Sequence, residues 1–159
     1  MYLPLQKTST SGPLAKQFIE KLTAAKSIPD LEKNQRYFKD ANTGDNLILG
    51  TRFATIFKLA KGFMEMEPDQ IEKLLDSRYY EARMGAVSIM DFQARNKKTT
   101  EIQKKVLFDM YIRKHDRINN WDLVDRSAPY VIGGYISDKP RSILYRLAKS
   151  KNVWERRTA

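Results

Sequence analysis

Apolar residues recur at helical spacing along almost the whole chain. After Pro13, a proline suited to a first helical turn, Leu14, Phe18, Leu22 and Ala25 fall on one helix face. "SIPDLEKNQRYF" repeats the device, with Pro29 early and acids in the first turn, where the helix dipole favours them. "NTGD" at 42–45 predicts a turn. "TRFATIFKLAKGF" predicts a helix with Phe53, Ile56, Phe57 and Ala60 on one side and Gly62 at its end. Another helix starts at Pro68. "YYEARMGAVSIMDFQARNK" predicts a long helix packing through Met84, Val87, Ile89 and Met90. "TTEIQKKVLFDMYIRK" places Ile102, Val106 and Met110 along one stripe. No alternating strand pattern or hairpin turn is present. The expected class is all-α, with about eight helices joined by short loops.

Two internal echoes sharpen this expectation. "LLDSRYYEARMGA" from Leu74 and "LAKSKNVWERRTA" from Leu147 match at an offset of 73, pairing Leu74/Leu147, Ser77/Ser150, Arg78/Lys151, Arg83/Arg156 and Ala86/Ala159. "NNWD" at 119–122 and "NVWE" at 152–155 match at an offset of 33. Spacings of 33 and then 40 suit paired-helix repeats of roughly 34 to 47 residues, which stack into a curved superhelical solenoid with a concave face. The chain divides into a flexible N-terminus, 1–12, and a single helical-repeat domain, 13–159.

With 159 residues, 42% of them apolar, the chain can bury about 70% of its unfolded surface as one domain. No uninterrupted run of 18 apolar residues argues for a membrane span, and the N-terminus lacks the pattern of a signal peptide. Cysteine is absent, which removes disulfides and thiolate metal sites and makes a reducing cytoplasm the natural compartment. His115 is the single histidine, so a His-rich zinc or iron site cannot be built. The net charge of +10 is uneven: residues 1–80 carry 12 Lys/Arg against 10 Asp/Glu, and residues 81–159 carry 17 against 9. A basic half points to a polyanion, because phosphate neutralisation releases counterions; a solvated basic surface is the alternative.

Candidate chemistry lies in "RINNWDLVDRSAPYVIGG". Asn119 or Asn120 can cap a helix there, with Asp122 as a structural first-turn acid. Asp125 follows Trp121 by four residues, one turn of about 5.4 Å, so an indole and a carboxylate share a face. That pair is a receptor for a cation, attracted by the charge and by the ring quadrupole. A purine alkylated at N3 or N7 is such a cation, and its sugar becomes one as the glycosidic bond breaks. One carboxylate then suffices where sugar hydrolysis usually needs two. The bland alternative puts Trp121 in the core and Asp125 on the surface.

"YYEARMGAVSIMDFQARNK", "INNWDLVDRSAPYVIGGYI" and "LAKSKNVWERRTA" together resemble the AlkD-like family of bacterial DNA alkylation-repair glycosylases, from about residue 14 to the end. The resemblance implies a solenoid of HEAT-like repeats that excises cationic alkylpurines from double-stranded DNA as a monomer, with no metal, cofactor or membrane, in the nucleoid-associated cytoplasm. It implies Asp125 as the catalytic aspartate, Trp121 as the tryptophan packed on the lesion, and Arg157 as the DNA-contacting arginine beside Arg156. "QRYFKD" resembles a segment whose tyrosine approaches the DNA backbone, here Tyr37. The family also implies a lesion held against the duplex without being flipped out. Its members usually continue for further helices, so the domain is expected to be incomplete at its C-terminus and Arg157 to fray.

Elsewhere, "KSK" with Arg156 and Arg157 makes a basic cluster before a helix start, with Lys149 and Lys151 as backbone-binding candidates. Arg113, Lys114 and Arg117 are a second such cluster. Trp154 is expected to pack between helices, and Tyr79 and Tyr80 in the core. His115 is expected to be exposed or to contact phosphate. "IGGYI" lacks the spacing and lysine of a nucleotide-binding loop. Three functions stay open: a monofunctional DNA glycosylase, a non-catalytic DNA-binding solenoid, and a protein-interaction scaffold.

Overall fold

The computed structural model describes residues 12–36 and 46–159, together with the backbone of Tyr37. The predicted turn at 42–45 and all but the last residue of the 1–12 segment lie outside the described residues. The chain is all-α: α1 (Ala15–Ala24), α2 (Ile28–Tyr37), α3 (Phe53–Gly62), α4 (Pro68–Leu75), α5 (Tyr80–Arg95), α6 (Glu101–Arg113), α7 (Trp121–Ala128), α8 (Gly134–Ile136), α9 (Ser142–Ala148) and α10 (Val153–Thr158). A 3-10 turn, His115–Arg117, precedes α7, and a π-helical turn, Pro129–Gly133, carries α7 into α8. Pro129 has no N–H to give the Asp125 carbonyl, and Gly134 N–H donates to the Pro129 carbonyl five residues back. Pairing between extended segments is limited, among the described residues, to a parallel bridge between Leu47 and Tyr79.

The helices stack as pairs. α3, α5, α7 and α10 form one row in which each touches the next. Behind it, α4 packs on α5, α6 on the π turn and α8, and α9 on α10. This is the all-α stack of helix pairs that the repeat pattern predicts.

Two predicted stripes need correction. In α5, Tyr80 to Asp91 are buried without a break, so the helix is the centre of the core and has no solvent face there. Its neighbours α1, α3, α4 and α7 cover it on several sides. In α6, Ile102 is 78% and Val106 40% exposed, and the helix packs through Leu107, Met110 and Tyr111. The true stripe is rotated by one residue, about 100°.

The echo at offset 73 is a repeat in three dimensions. The N-cap positions of α5 and α10, Tyr79 and Asn152, are 73 apart. Arg83 donates from Nη1 to the Ser77 carbonyl at 2.9 Å, and Arg156 from Nη1 to the Ser150 carbonyl at 2.9 Å. Ser77 Oγ accepts from Tyr79 N–H and Ser150 Oγ from Asn152 N–H. The echo at offset 33 is out of register. The N-cap position of α7 is Asn120, 41 residues after Tyr79 and 32 before Asn152. Trp121 is therefore the first residue of its helix and Trp154 the second of its own. One residue is about 100° of rotation, so the two indoles point differently.

The loop before α3 is fixed by two features. Gly50 has φ +89°, and a Cβ there would lie 2.7 Å from the Leu31 Cβ. The buried Glu81 carboxylate accepts from the N–H groups of Leu49 and Gly50. These hold Arg52 at the N-cap of α3.

Candidate functional site

Each helix of the row presents a residue to one wall at the same register. Five residues after the N-cap stand Phe57 in α3, Met84 in α5, Asp125 in α7 and Arg157 in α10. The first three line a groove of about 1030 Å³. Arg157 meets Asp125 from the next helix, donating from Nε and Nη2 to its two carboxylate oxygens, each at 2.7 Å.

Trp121 lines the same groove one turn before Asp125 and is 39% exposed, so it is not a core tryptophan. The groove is also lined by Lys33 of α2 and by Arg52 and Phe53 at the start of α3. Arg52 is tied through Nε to both oxygens of Asp30, at 3.1 and 2.9 Å.

The start of α7 departs from the predicted cap. Asn120 occupies the N-cap, but its amide donates to the Tyr80 hydroxyl at 3.2 Å and makes no cap. Asp122 accepts instead from the Leu123 N–H at 2.8 Å and from the Tyr80 hydroxyl. That bond, and burial of Tyr80 in α5, pin α7 to the core. Asp122 is thus the structural acid expected. Burial pushes its carboxyl pKa up, with the Tyr80 bond opposing. The Asp125 carboxyl is moved the other way, below the ordinary carboxylate range, chiefly by the hydrogen bonds from Arg157. Of the two acids, Asp125 is the one whose surroundings favour the anion.

The end of α10 is clamped, against the expected fraying. Thr158 Oγ1 lies 2.8 Å from His115 Nε2 and 3.2 Å from the Tyr111 hydroxyl. His115 is buried, not exposed among charges, and burial lowers its pKa. The sequence neighbourhood misled here: Lys114, Asp116 and Arg117 are polar, but the 3-10 turn rotates the imidazole inward. Trp154 is half-buried against the core, as expected for packing. Tyr80 is buried and Tyr79 half-buried, also as expected.

The remaining candidates divide. Lys149 and Lys151 are exposed on the segment between α9 and α10. Arg156 folds onto the carbonyls of Ser150 and Lys151, at 2.9 and 3.0 Å, and so braces that segment. The Tyr37 side chain lies outside the described residues. The second basic cluster is engaged in structure: Arg113 pairs with Glu72, Lys114 with Asp76, and Arg117 donates to the carbonyls of Leu75 and Ser77. Among the described residues, no group of three or more His, Cys, Asp or Glu side chains could hold a metal ion. No helix among them is long and apolar enough to cross a membrane.

Several groove residues escaped the sequence reading, Lys33 and Arg52 among them. Asp91, Arg95, Arg126 and Tyr130 line the groove beside Trp121 and Asp125. Their signal was present, since Asp91/Arg95 and Arg126/Tyr130 are each four apart and share a helix face.

No curated protein and no solved structure matches the chain significantly. The model of one protein family, described as DNA alkylation repair enzyme, does match, over residues 18–159. With nearly the whole chain covered, this protein belongs to the DNA alkylation repair enzyme family.

Proposed function

We propose that the protein is a monofunctional DNA glycosylase that hydrolyses the N-glycosidic bond of cationic N3- or N7-alkylated purines in duplex DNA. The observation that carries this reading is the placement of Trp121 and Asp125, whose carboxyl is held toward the anion, on one groove that basic side chains also line. The indole face and the carboxylate favour a nucleotide that is already positive and whose sugar becomes so. As the bond breaks, its electron pair leaves with the base, which departs neutral. Water adds at C1′, and Asp125 orients it and takes its proton. No lysine nucleophile enters, so the product is an abasic site.

Arg157 neutralises Asp125 in the free protein. Both side chains of the pair are nearly half exposed, and such pairs open at little cost. On DNA, Arg157 turns to a phosphate and frees the carboxylate toward the groove. Lys149 and Lys151 extend this backbone contact, with Arg156 and Tyr37 as further candidates. A soluble, nucleoid-associated monomer fits the reading.

Incubation of methylated duplex DNA with the protein and with Asp125→Asn tests it. The parent releases 3-methyladenine and 7-methylguanine, and Asp125→Asn loses roughly 100-fold or more of the rate. Equal release by both variants removes Asp125 from the mechanism. Salt-dependent binding without release leaves a non-catalytic DNA-binding protein, a reading favoured by the occupation of Asp125 by Arg157. Binding indifferent to salt leaves a protein-interaction scaffold.

A further inference from the structure

The groove holds a second cluster of charged and aromatic groups that the chemistry at Asp125 does not use. The Asp91 side chain is 2% exposed and faces two guanidiniums, Arg95 at 2.7 Å and Arg126 at 3.5 Å. One carboxylate against two cations leaves this cluster with a surplus positive charge, in a groove lined overall by four basic and four acidic side chains. The Arg126 guanidinium lies over the rings of Phe57 and Phe92, at 4.6 and 4.9 Å, and Arg95 over Phe92 and Tyr130, at 5.6 and 5.0 Å. The result is a ladder of alternating rings and cations ending at Tyr130, a residue 51% exposed. Arg126 is fixed further by Ser88 Oγ at 3.2 Å. Arg95 has one N–H on Asp91, and its side chain remains 40% exposed to the groove.

We propose that Arg95, Arg126 and Tyr130 form a nucleotide subsite distinct from Trp121 and Asp125. It takes the phosphodiester and planar base or sugar face of a nucleotide adjoining the lesion. The surplus charge supplies the phosphate contact, and the guanidinium forks are held in place in advance by their ring stacks. Tyr130 supplies a ring face for the deoxyribose, or for a base unstacked beside the lesion, without regard to sequence. This inference rests on the DNA reading above.

The test is fluorescence anisotropy with a labelled duplex carrying one tetrahydrofuran abasic-site analogue, titrated at several salt concentrations. Arg95→Gln makes the slope of log affinity against log salt shallower by about one, the loss of one phosphate contact. Arg95→Lys keeps the charge and restores the slope. Tyr130→Leu weakens binding by about tenfold at fixed salt without changing the slope, and Tyr130→Phe keeps it. An unchanged slope in Arg95→Gln, or unchanged affinity in Tyr130→Leu, overturns the subsite. If thermal melting shows Arg95→Gln to be unfolded, the half-exposed Tyr130 decides alone. Wild-type protein that binds the duplex with steep salt dependence leaves the glycosylase reading standing whatever the variants do. Wild-type protein that does not bind overturns both.

Discussion

Replacing Gly85 by alanine is a severe demand on this core. A Cβ at that position would sit 2.3 Å from both Cε1 and Cζ of Phe18. Ordinary carbon contacts need about 3.5–4.0 Å, so the ring must retreat by more than about 1 Å. It has nowhere to go: Phe18 is fully buried and stands edge-on to Phe63 with ring centroids 5.2 Å apart. Overpacking of this kind costs about 1–3 kcal/mol, and an unyielding ring places the site at the upper end. Alanine returns about 1 kcal/mol of helix propensity in the middle of α5. The net loss is about 2 kcal/mol, a fall in melting temperature of about 4–8 °C for a domain of this size. Circular dichroism melts and urea titrations of the wild type and the variant measure it. Phe18→Leu opens space beside the new methyl, so the double variant Gly85→Ala/Phe18→Leu loses less than the sum of the single losses. A Gly85→Ala protein that melts at or above the wild-type temperature refutes the close approach, and so does strict additivity in the double variant.

Two further outcomes concern titration. Arg157→Gln removes the chief cause of the lowered Asp125 pKa, so carbon-13 NMR shows that carboxyl titrating nearer the ordinary range. Because the folded pKa is depressed, the pair adds stability above the unfolded aspartate value and loses it as pH falls through the folded one. That acid loss shrinks in Arg157→Gln, and an unmoved midpoint means the pair does not form in solution. His115 is a base whose folded pKa is lowered by burial, so its neutral form belongs to the native state. The wild type is fully stabilised above the unfolded histidine value, about 6.5, and loses stability as pH falls toward the folded one. Urea midpoints between pH 7.5 and 5.5 in His115→Gln should lack that dependence, and an undiminished slope there assigns it to other groups.

The elements were legible because their signals are local. Pro68 opens α4 and the run from Tyr80 forms α5 as read, whereas Pro13 lies just ahead of α1, which begins at Ala15 after its N-cap Leu14. The pairing of Trp121 with Asp125 on one face was equally local, a matter of four residues. What the chain could not show is rotation relative to partners. α5 has helical spacing but is buried all round, because α1, α3, α4 and α7 converge on it. Ile102 and Val106 fit a stripe that the actual neighbours of α6 leave in solvent. The ion pair between Asp125 and Arg157 links residues 32 apart, and the burial of His115 depends on Thr158, 43 residues on. Each is settled by how pairs stack, which no periodicity within a single helix records.

The register of the stack separates two duties between adjacent residues. Arg83 and Arg156 turn back to tie the segment before their own helices, while the very next residues, Met84 and Arg157, look out along the row. A change at the outward residue can therefore alter chemistry while leaving the tie intact. Successive units of such a chain are free to diversify their recognition one side chain at a time without renegotiating how they adhere to their neighbours.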